Sequence, residues 1–255
     1  MDLELERRRA IVTGASRGIG RAIALALAAE GANVVAVARD REKLQSLATE
    51  SSTGTITVRV GDLSTNAAIQ PLASDLQQAD ILVFNTGGPP FGMAAEIADE
   101  TWNAQFEAMF LSAIRLTRLA LSGMRRRGFG RILLVTSSGV IQPIPNLAIS
   151  NSIRAALVGW AKTLAGEVAS AGVTVNCLAP GRIATDRLMQ FDQNRAHREG
   201  ITVEEVQKQS RAAIPAGRYG EASEMAAVAA FLASPRAAYV TGSVIRVDGG
   251  MIRSL

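Results

Sequence analysis

Hydrophobic and polar positions alternate along the chain in blocks that predict strands and helices in turn. Short apolar runs rich in β-branched residues, typical of buried parallel strands, occupy residues 10–12, 33–38, 56–60, 81–84, 132–136, 173–178 and 243–247. Helical patterns span about residues 21–30, 66–77, 100–127, 148–169 and 221–233, and a further helical pattern begins near residue 39. This alternation predicts one α/β domain, a doubly wound parallel sheet of seven strands with helices on both faces.

Three glycines lie where the first strand meets the first helix, at Gly14, Gly18 and Gly20. A glycine-rich turn leaves backbone N–H groups unpaired at a helix N-terminus, which favours an anion such as a pyrophosphate. The spacing is G-x-x-x-G-x-G rather than the general G-x-G-x-x-G, so an ordinary turn is an alternative here. We expect Gly14 to form the tight turn, Gly18 to admit the phosphates and Gly20 to let the helix pack on the strand.

Residues 182–215 form a long, polar and charged segment with helical fragments but little core pattern. Excursions of this length inside a domain are often lids or binding loops, so we expect this segment to cover a site. We call residues 182–215 the lid segment. Its many arginines indicate an anionic or carrier-bound substrate. His197, the only histidine, is expected to be a solvated loop residue there.

Composition narrows the setting in which the protein works. The 255 residues are 48% hydrophobic, yet no apolar run reaches the ~18 residues that a membrane-spanning helix needs. The N-terminus lacks the basic start and apolar core of a signal peptide, so we expect a cytoplasmic protein with no membrane partner. Cys177 is the single cysteine, which excludes an internal disulfide, and we expect it to be buried. We expect no metal site.

The net charge of +4 raises the question of a nucleic-acid partner. Arginines are scattered apart from two triplets, at residues 7–9 and 125–127. The first triplet precedes a strand, and the second ends a helix, where cations complement the helix dipole. We therefore expect solvated positive ends and no nucleic-acid partner.

Four separated motifs and the C-terminal ending resemble the short-chain dehydrogenase/reductase family, closest to its 3-oxoacyl-carrier-protein reductase-like members. They are residues 13–20, Asp62-Leu63, Asn85-Thr86-Gly87, Ala179-Pro180-Gly181 with Thr185, and residues 240–250. The resemblance implies a Rossmann-like fold and hydride transfer between a nicotinamide cofactor and a carbonyl or alcohol substrate, small or carrier-bound. It also implies a homodimer or homotetramer built through the helices at 100–127 and 148–169.

The resemblance further implies which residues hold the cofactor. They are Gly14, Ser16, Arg17, Gly18, Ile19, Gly20, Arg39, Asp62, Leu63, Asn85, Gly87, Arg154, Pro180, Gly181, Ile183 and Thr185. Arg39 follows the second strand, where an NAD enzyme carries an acidic residue for the ribose hydroxyls. With Ser16 and Arg17 it is suited to a 2′-phosphate, which favours NADP(H). As alternatives, Arg39 simply starts a helix while Asp40 helps to bind NAD(H), and Asp62 is a helix N-cap.

The expected catalytic set departs from the family pattern. The positions of the family's asparagine, serine, tyrosine and lysine are taken by Met109, Ser137, Ser150 and Arg154. A serine hydroxyl is a weaker acid than a phenol by several pKa units, at ~1.4 kcal/mol for each unit. Arginine stays protonated and does not relay a proton easily. Of the four, Ser137 alone keeps the family residue.

Three functional hypotheses follow from this difference between the catalytic positions and the family pattern. The first is a hydride-transfer enzyme that uses another acid, such as Ser137, a bound water or the substrate itself; His197 is a less favoured candidate. The second is a catalytically silent NADP(H)-binding sensor or oligomer partner, and the third is a non-redox reaction. Ser150 and Arg154 are i and i+4 on one helix face, which favours a binding pair. Ile183 and Thr185 favour the first hypothesis.

Overall fold

A seven-stranded parallel sheet forms the centre of the computed structural model, which describes residues 1–51 and 53–254. Its order is β3-β2-β1-β4-β5-β6-β7. The strands are β1 (Arg9–Thr13), β2 (Asn33–Ala38), β3 (Ile56–Val60), β4 (Ile81–Phe84), β5 (Gly130–Val135), β6 (Val173–Pro180) and β7 (Val244–Val247). Each of the seven predicted strands is therefore confirmed, with ends that differ by no more than two residues.

Helices cover both faces of this sheet, as the pattern predicts. They are α1 (Gly18–Ala29), α2 (Arg41–Glu50), α3 (Asn66–Ile69), α4 (Ala73–Gln78), α5 (Asp99–Phe106), α6 (Ser112–Arg127), α7 (Ala148–Val168), α8 (Asp186–Glu199), α9 (Val203–Ala212) and α10 (Ala222–Ala233). Side chains of β1 alternate between the faces, so Val12 packs with α1, α2 and α10. Ile11 packs with α4, α6 and α7 on the other face.

Two predicted helices are interrupted. The helix expected at residues 66–77 breaks into α3 and α4 around a 3₁₀ turn that contains Pro71, because proline cannot donate the next helical hydrogen bond. The helix expected at residues 100–127 contains a π-helical turn over Glu107–Leu111, between α5 and α6. Met109 lies in this turn, and such π-turns occur frequently at functional sites.

The lid segment is more ordered than its sequence pattern indicates, because α8 and α9 occupy most of it. Asp192 is buried on α8, where its carboxylate accepts a hydrogen bond from the Tyr219 hydroxyl at 2.8 Å. The Arg182 guanidinium lies 3.6 Å from the same carboxylate. The expectation of a loop at His197 is wrong, since this residue lies exposed in the last turn of α8. A buried carboxylate gives no hydrophobic signal, so the pattern did not show which side of α8 faces inward.

Two further expectations about packing and setting can be compared with the structure. Cys177 is buried in β6, as predicted. Trp102 and Trp160 pack half-buried against hydrophobic clusters. Among the described helices, none has both the length and the apolar character to span a membrane.

Candidate active site

A large cavity opens where the strand order reverses, at the carboxyl ends of β1 and β4. This switch point is the usual ligand site of an open parallel sheet. The cavity has a volume of about 1450 Å³ and extends from the glycine turn, past the ends of β2 and β5, to the first half of the lid segment. Every cofactor or catalytic residue predicted from the sequence lines it, apart from Gly20.

The glycine turn has the geometry of an anion site. Gly14 and Gly18 adopt positive φ angles of 59° and 56°, which favour glycine over residues that carry a Cβ. A Cβ on Gly20 would lie 2.3 Å from the carbonyl oxygen of Gly14, so Gly20 serves close packing of α1 on the turn. In the described part of the chain no side chain caps α1, and its first turn holds no acidic residue. The free N–H groups therefore fit the pyrophosphate of a dinucleotide.

Asn85 fastens this turn to the end of β4. The Thr13 hydroxyl donates to the Asn85 carbonyl at 2.8 Å and accepts from the Asn85 backbone N–H at 2.9 Å. The Asn85 side-chain amide donates to the Gly14 carbonyl at 3.3 Å. Asn85, one of the expected cofactor residues, thus holds the glycine turn in place.

Two arginines border the part of the cavity beside the glycine turn and the end of β2. Arg39 is largely exposed and lies 3.8 Å from Asp62, and Arg17 lies 4.0 Å from Asp186. The alternative in which Arg39 starts α2 is wrong, because α2 begins at Arg41 and Asp40 is its N-cap.

Asp62 is likewise not the N-cap of α3. Its carboxylate accepts from the Ser64 backbone N–H at 3.1 Å, and Thr65 caps the helix instead. Neither Arg39 nor Asp62 is therefore committed to starting a helix, and both side chains face the cavity.

At the end of the cavity beside the lid segment, β6 runs into Pro180 and Gly181. A Cβ on Gly181 would lie 2.7 Å from the Cα of Asp248, so the chain here needs glycine. Ile183 is buried and bridges to Gly220. The Thr185 hydroxyl donates to the Ile183 carbonyl at 3.2 Å and accepts from a backbone N–H in the first turn of α8. Close packing and hydrogen bonds therefore hold the backbone in place at this end of the cavity.

Ser137, Ser150 and Arg154 face the same end of the cavity. The Ser137 Oγ accepts from the Gly139 N–H at 3.0 Å, which leaves its own proton available to a ligand. Ser150 and Arg154 are 7% and 8% exposed. The Arg154 Nη1 donates to the Val135 carbonyl at 2.5 Å. Burial, followed by the positive charge of Arg187, lowers the pKa of Arg154 to about 10.

The cavity holds few groups that exchange protons near neutral pH. Among the described residues that line it, there is no histidine, cysteine, tyrosine or lysine. The Tyr219 hydroxyl donates a hydrogen bond to Asp192, and neither of these residues lines the cavity. Burial raises the pKa of the Tyr219 hydroxyl. His197 is not a lining residue. The described residues also contain no cluster of metal-ligating side chains.

Two residues near the site escaped the sequence analysis. Arg187 donates from Nη2 to the Pro89 carbonyl at 2.7 Å, and its guanidinium lies 4.3 Å from the centroid of the Phe91 ring. Asn151, next to Ser150, holds the Ile144 backbone through both of its amide atoms, at 3.2 and 2.9 Å. The Arg187 contact has no local sequence signal, because Pro89 lies 98 residues earlier in the chain.

With this geometry established, comparison with known proteins shows the family. Residues 14–252 match a family model described as enoyl-(acyl carrier protein) reductase. The chain belongs to the short-chain dehydrogenase/reductase family. This result confirms the resemblance seen in the motifs and the class of the protein, since members of the family are NAD(P)-dependent oxidoreductases.

Family relatives match over essentially their whole length. The chain is 38% identical over 256 residues to 3-oxoacyl-[acyl-carrier-protein] reductase FabG of Escherichia coli, covering 98% of this chain and 99% of the relative. It is 35% identical over 261 residues to the NADPH-dependent reductase BacG of Bacillus subtilis, covering 98% and 100%. L-sorbose reductase from Gluconobacter frateurii, solved with NADPH and L-sorbose, superposes with a TM-score of 0.93 at 34% identity, with both chains fully covered.

We expect the substitution Asn151→Ala to loosen the loop at residues 139–146 because it removes two hydrogen bonds, worth roughly 0.5–1.5 kcal/mol each. Hydrogen–deuterium exchange should show faster exchange in that loop, while the exchange of β1 and α1 stays unchanged. Ser152→Ala, on the exposed side of α7, is the matched control and should behave as wild type. Unchanged protection of residues 139–146 in Asn151→Ala would contradict the assignment.

Proposed function

We propose that this family member is an NADP(H)-dependent oxidoreductase that transfers hydride between nicotinamide and a carbonyl or alcohol substrate, resembling the 3-oxoacyl reductases. The observation that carries the proposal is a single cavity that joins the uncapped glycine turn to Ile183, Thr185 and Ser137. The substrate is a small molecule or is carrier-bound, and the lid segment covers it. The Escherichia coli relative, named for an acyl-carrier-protein substrate, supports the carrier-bound form.

Two exposed cations support NADP(H) over NAD(H). Arg17 and Arg39 line the cavity near Ser16, where the 2′-phosphate of the adenine ribose would lie. Charge-assisted bonds from guanidinium groups suit a phosphate. The Bacillus subtilis relative is named as NADPH-dependent, and the Gluconobacter frateurii structure contains NADPH.

We expect the protein to bind NADPH more tightly than NADH, and Arg39→Ala to reduce that preference about tenfold because one charge-assisted contact is lost. Fluorescence titration of both cofactors measures the two affinities. Arg41→Ala is the control, since Arg41 is exposed on α2 and does not line the cavity. Equal wild-type affinities for NADPH and NADH, or an unchanged preference in Arg39→Ala, would reject the assignment.

In the proposed reaction, Ser137 would hydrogen-bond to the reacting oxygen of the substrate, whereas Arg154 and Ser150 would bind other ligand atoms. The bound nicotinamide would supply or accept the hydride. Ser137 would donate a hydrogen bond to the substrate oxygen, because its Oγ lone pair is engaged by Gly139 and its proton is available. Arg154 would hold ligand oxygens, and Ser150 would add a contact beside it. Water or the substrate itself would supply the proton, since no described cavity residue has an ordinary pKa between about 5 and 10.

Kinetics of single variants on a reducible ketone should separate these roles. Ser137→Ala is expected to lower kcat about 100-fold, as loss of an oxyanion donor does. Ser150→Ala should change kcat less than about twofold, whereas Arg154→Ala should weaken substrate or cofactor binding about tenfold. The wild-type kcat should vary little between pH 6 and 9. Abolished turnover in Ser150→Ala with intact binding would instead identify Ser150 as the proton donor.

The same cavity supports a second candidate, a catalytically silent NADP(H)-binding protein. The observation that favours it is the set of lining residues, which in the described structure lacks tyrosine, histidine, lysine and cysteine. NADPH binding without turnover of a broad panel of carbonyl and alcohol compounds would support this candidate over the oxidoreductase.

We also propose a homodimer or homotetramer assembled through α5, α6 and α7. None of the residues of α5 is buried, and Phe106 is 40% exposed and stacks on Phe110. An outer face with aromatic groups suits burial against a second copy. Light scattering should give two or four times the chain mass, and Phe106→Glu should shift it toward the monomer. A wild-type monomer mass at every concentration would defeat the proposal.

A further inference from the structure

The charges that line the cavity are unevenly paired. Each of its three aspartates faces a cation: Asp40 lies 3.6 Å from Lys43, Asp62 lies 3.8 Å from Arg39, and Asp186 lies 4.0 Å from Arg17. Arg154 and Arg187 differ from these cations, because within the described chain no carboxylate lies within 4.0 Å of either guanidinium. Arg253 also lines the cavity without a described acidic partner, but it is exposed, whereas Arg154 is buried and Arg187 is half-buried.

Both guanidinium groups are held in fixed positions. Arg154 is anchored by the Val135 carbonyl at the end of β5, and Arg187 is anchored by the Pro89 carbonyl and stacks on Phe91. Each carbonyl anchor uses one nitrogen of the group, Nη1 of Arg154 and Nη2 of Arg187. An arginine presents five N–H donors in a planar fork, so the remaining donors are available to a ligand. Fixed donors lose little freedom when they bind.

Arg154 and Arg187 line the same cavity. Burial lowers the pKa of Arg154, and the charge of Arg187 lowers it further. Burial also lowers the pKa of Arg187. A bound anion would relieve both effects, because it supplies the missing opposite charge in a half-buried setting. Planar guanidinium groups match the two oxygens of a carboxylate.

We propose that Arg154 and Arg187 form an oxyanion site for a carboxylate of the substrate itself, so that the substrate is a free oxo acid or hydroxy acid. This inference rests on the proposed oxidoreductase function and names its substrate class. An acyl group joined to a carrier as a thioester has no carboxylate at its reacting end and would leave both cations unmatched. The pair therefore selects free acids over carrier-bound acyl groups.

The test is calorimetric binding to the NADPH-loaded protein of matched probes, four- and six-carbon 2-oxo and 3-oxo acids and their neutral amides. At least one acid should bind about tenfold more tightly than its amide, and Arg187→Gln should abolish that difference. Arg253→Gln is the control, because Arg253 lines the cavity but is exposed, and it should keep the preference. Equal binding of every acid and amide, or a preference kept in Arg187→Gln, overturns the inference.

Two further arms separate this inference from its rivals. The first arm measures NADPH affinity in each variant. If Arg187→Gln lowers the affinity for NADPH but keeps the preference for acids over amides, Arg187 binds the cofactor phosphates and the proposal is overturned. Inorganic phosphate that binds tightly while acids show no advantage over amides would overturn it as well. Failure of wild type to bind NADPH would reject the proposed function, whereas NADPH binding with equal turnover of acids and amides rejects the carboxylate site alone.

Discussion

The close approach of α1 to the ends of β1 and β4 is the constraint on which the rest of the site depends. Gly20 must lack a side chain, because its Cβ position falls on the Gly14 carbonyl. Thr13 and Asn85 then join the two strand ends through reciprocal hydrogen bonds. This contact fixes the direction of the free N–H groups of α1 at the mouth of the cavity.

Chemistry at the other end of the cavity is dominated by cations and hydroxyl groups. A typical acid–base catalyst has a pKa near the working pH, so that it can both give and take a proton. Here the lining instead offers serines, which titrate far above neutral pH, and arginines, which remain charged. Such a lining is well suited to orienting a ligand and stabilising negative charge, and it leaves the proton to solvent or substrate.

Much of the fold was predictable from sequence, because parallel strands are continuous apolar runs and cofactor motifs follow them directly. The seven strands and the cavity positions of Ser137, Ser150 and Arg154 are examples. Features that depend on distant contacts were not predictable. Arg187 is defined by Pro89 and Phe91, which lie on another loop. The roles of these site residues remain predictions, since geometry places them without testing their chemistry.

The buried carboxylate of Asp192 has a consequence for how α8 can move. The partners of this carboxylate, Tyr219 and Arg182, are polar, and its Oδ1 atom makes no hydrogen bond within the described residues. The same helix also makes apolar contacts, through the buried Ala196 and through the Phe191 ring beside Phe91. Lifting a helix from an apolar seat exposes oily surface to water at a cost that grows with area. Lifting α8 would expose its apolar contacts in this way, but it would also hydrate Asp192, and water would replace the lost polar partners. Solvent can therefore substitute for the polar part of the contact between α8 and the rest of the protein, which lowers the free-energy cost of separating the two.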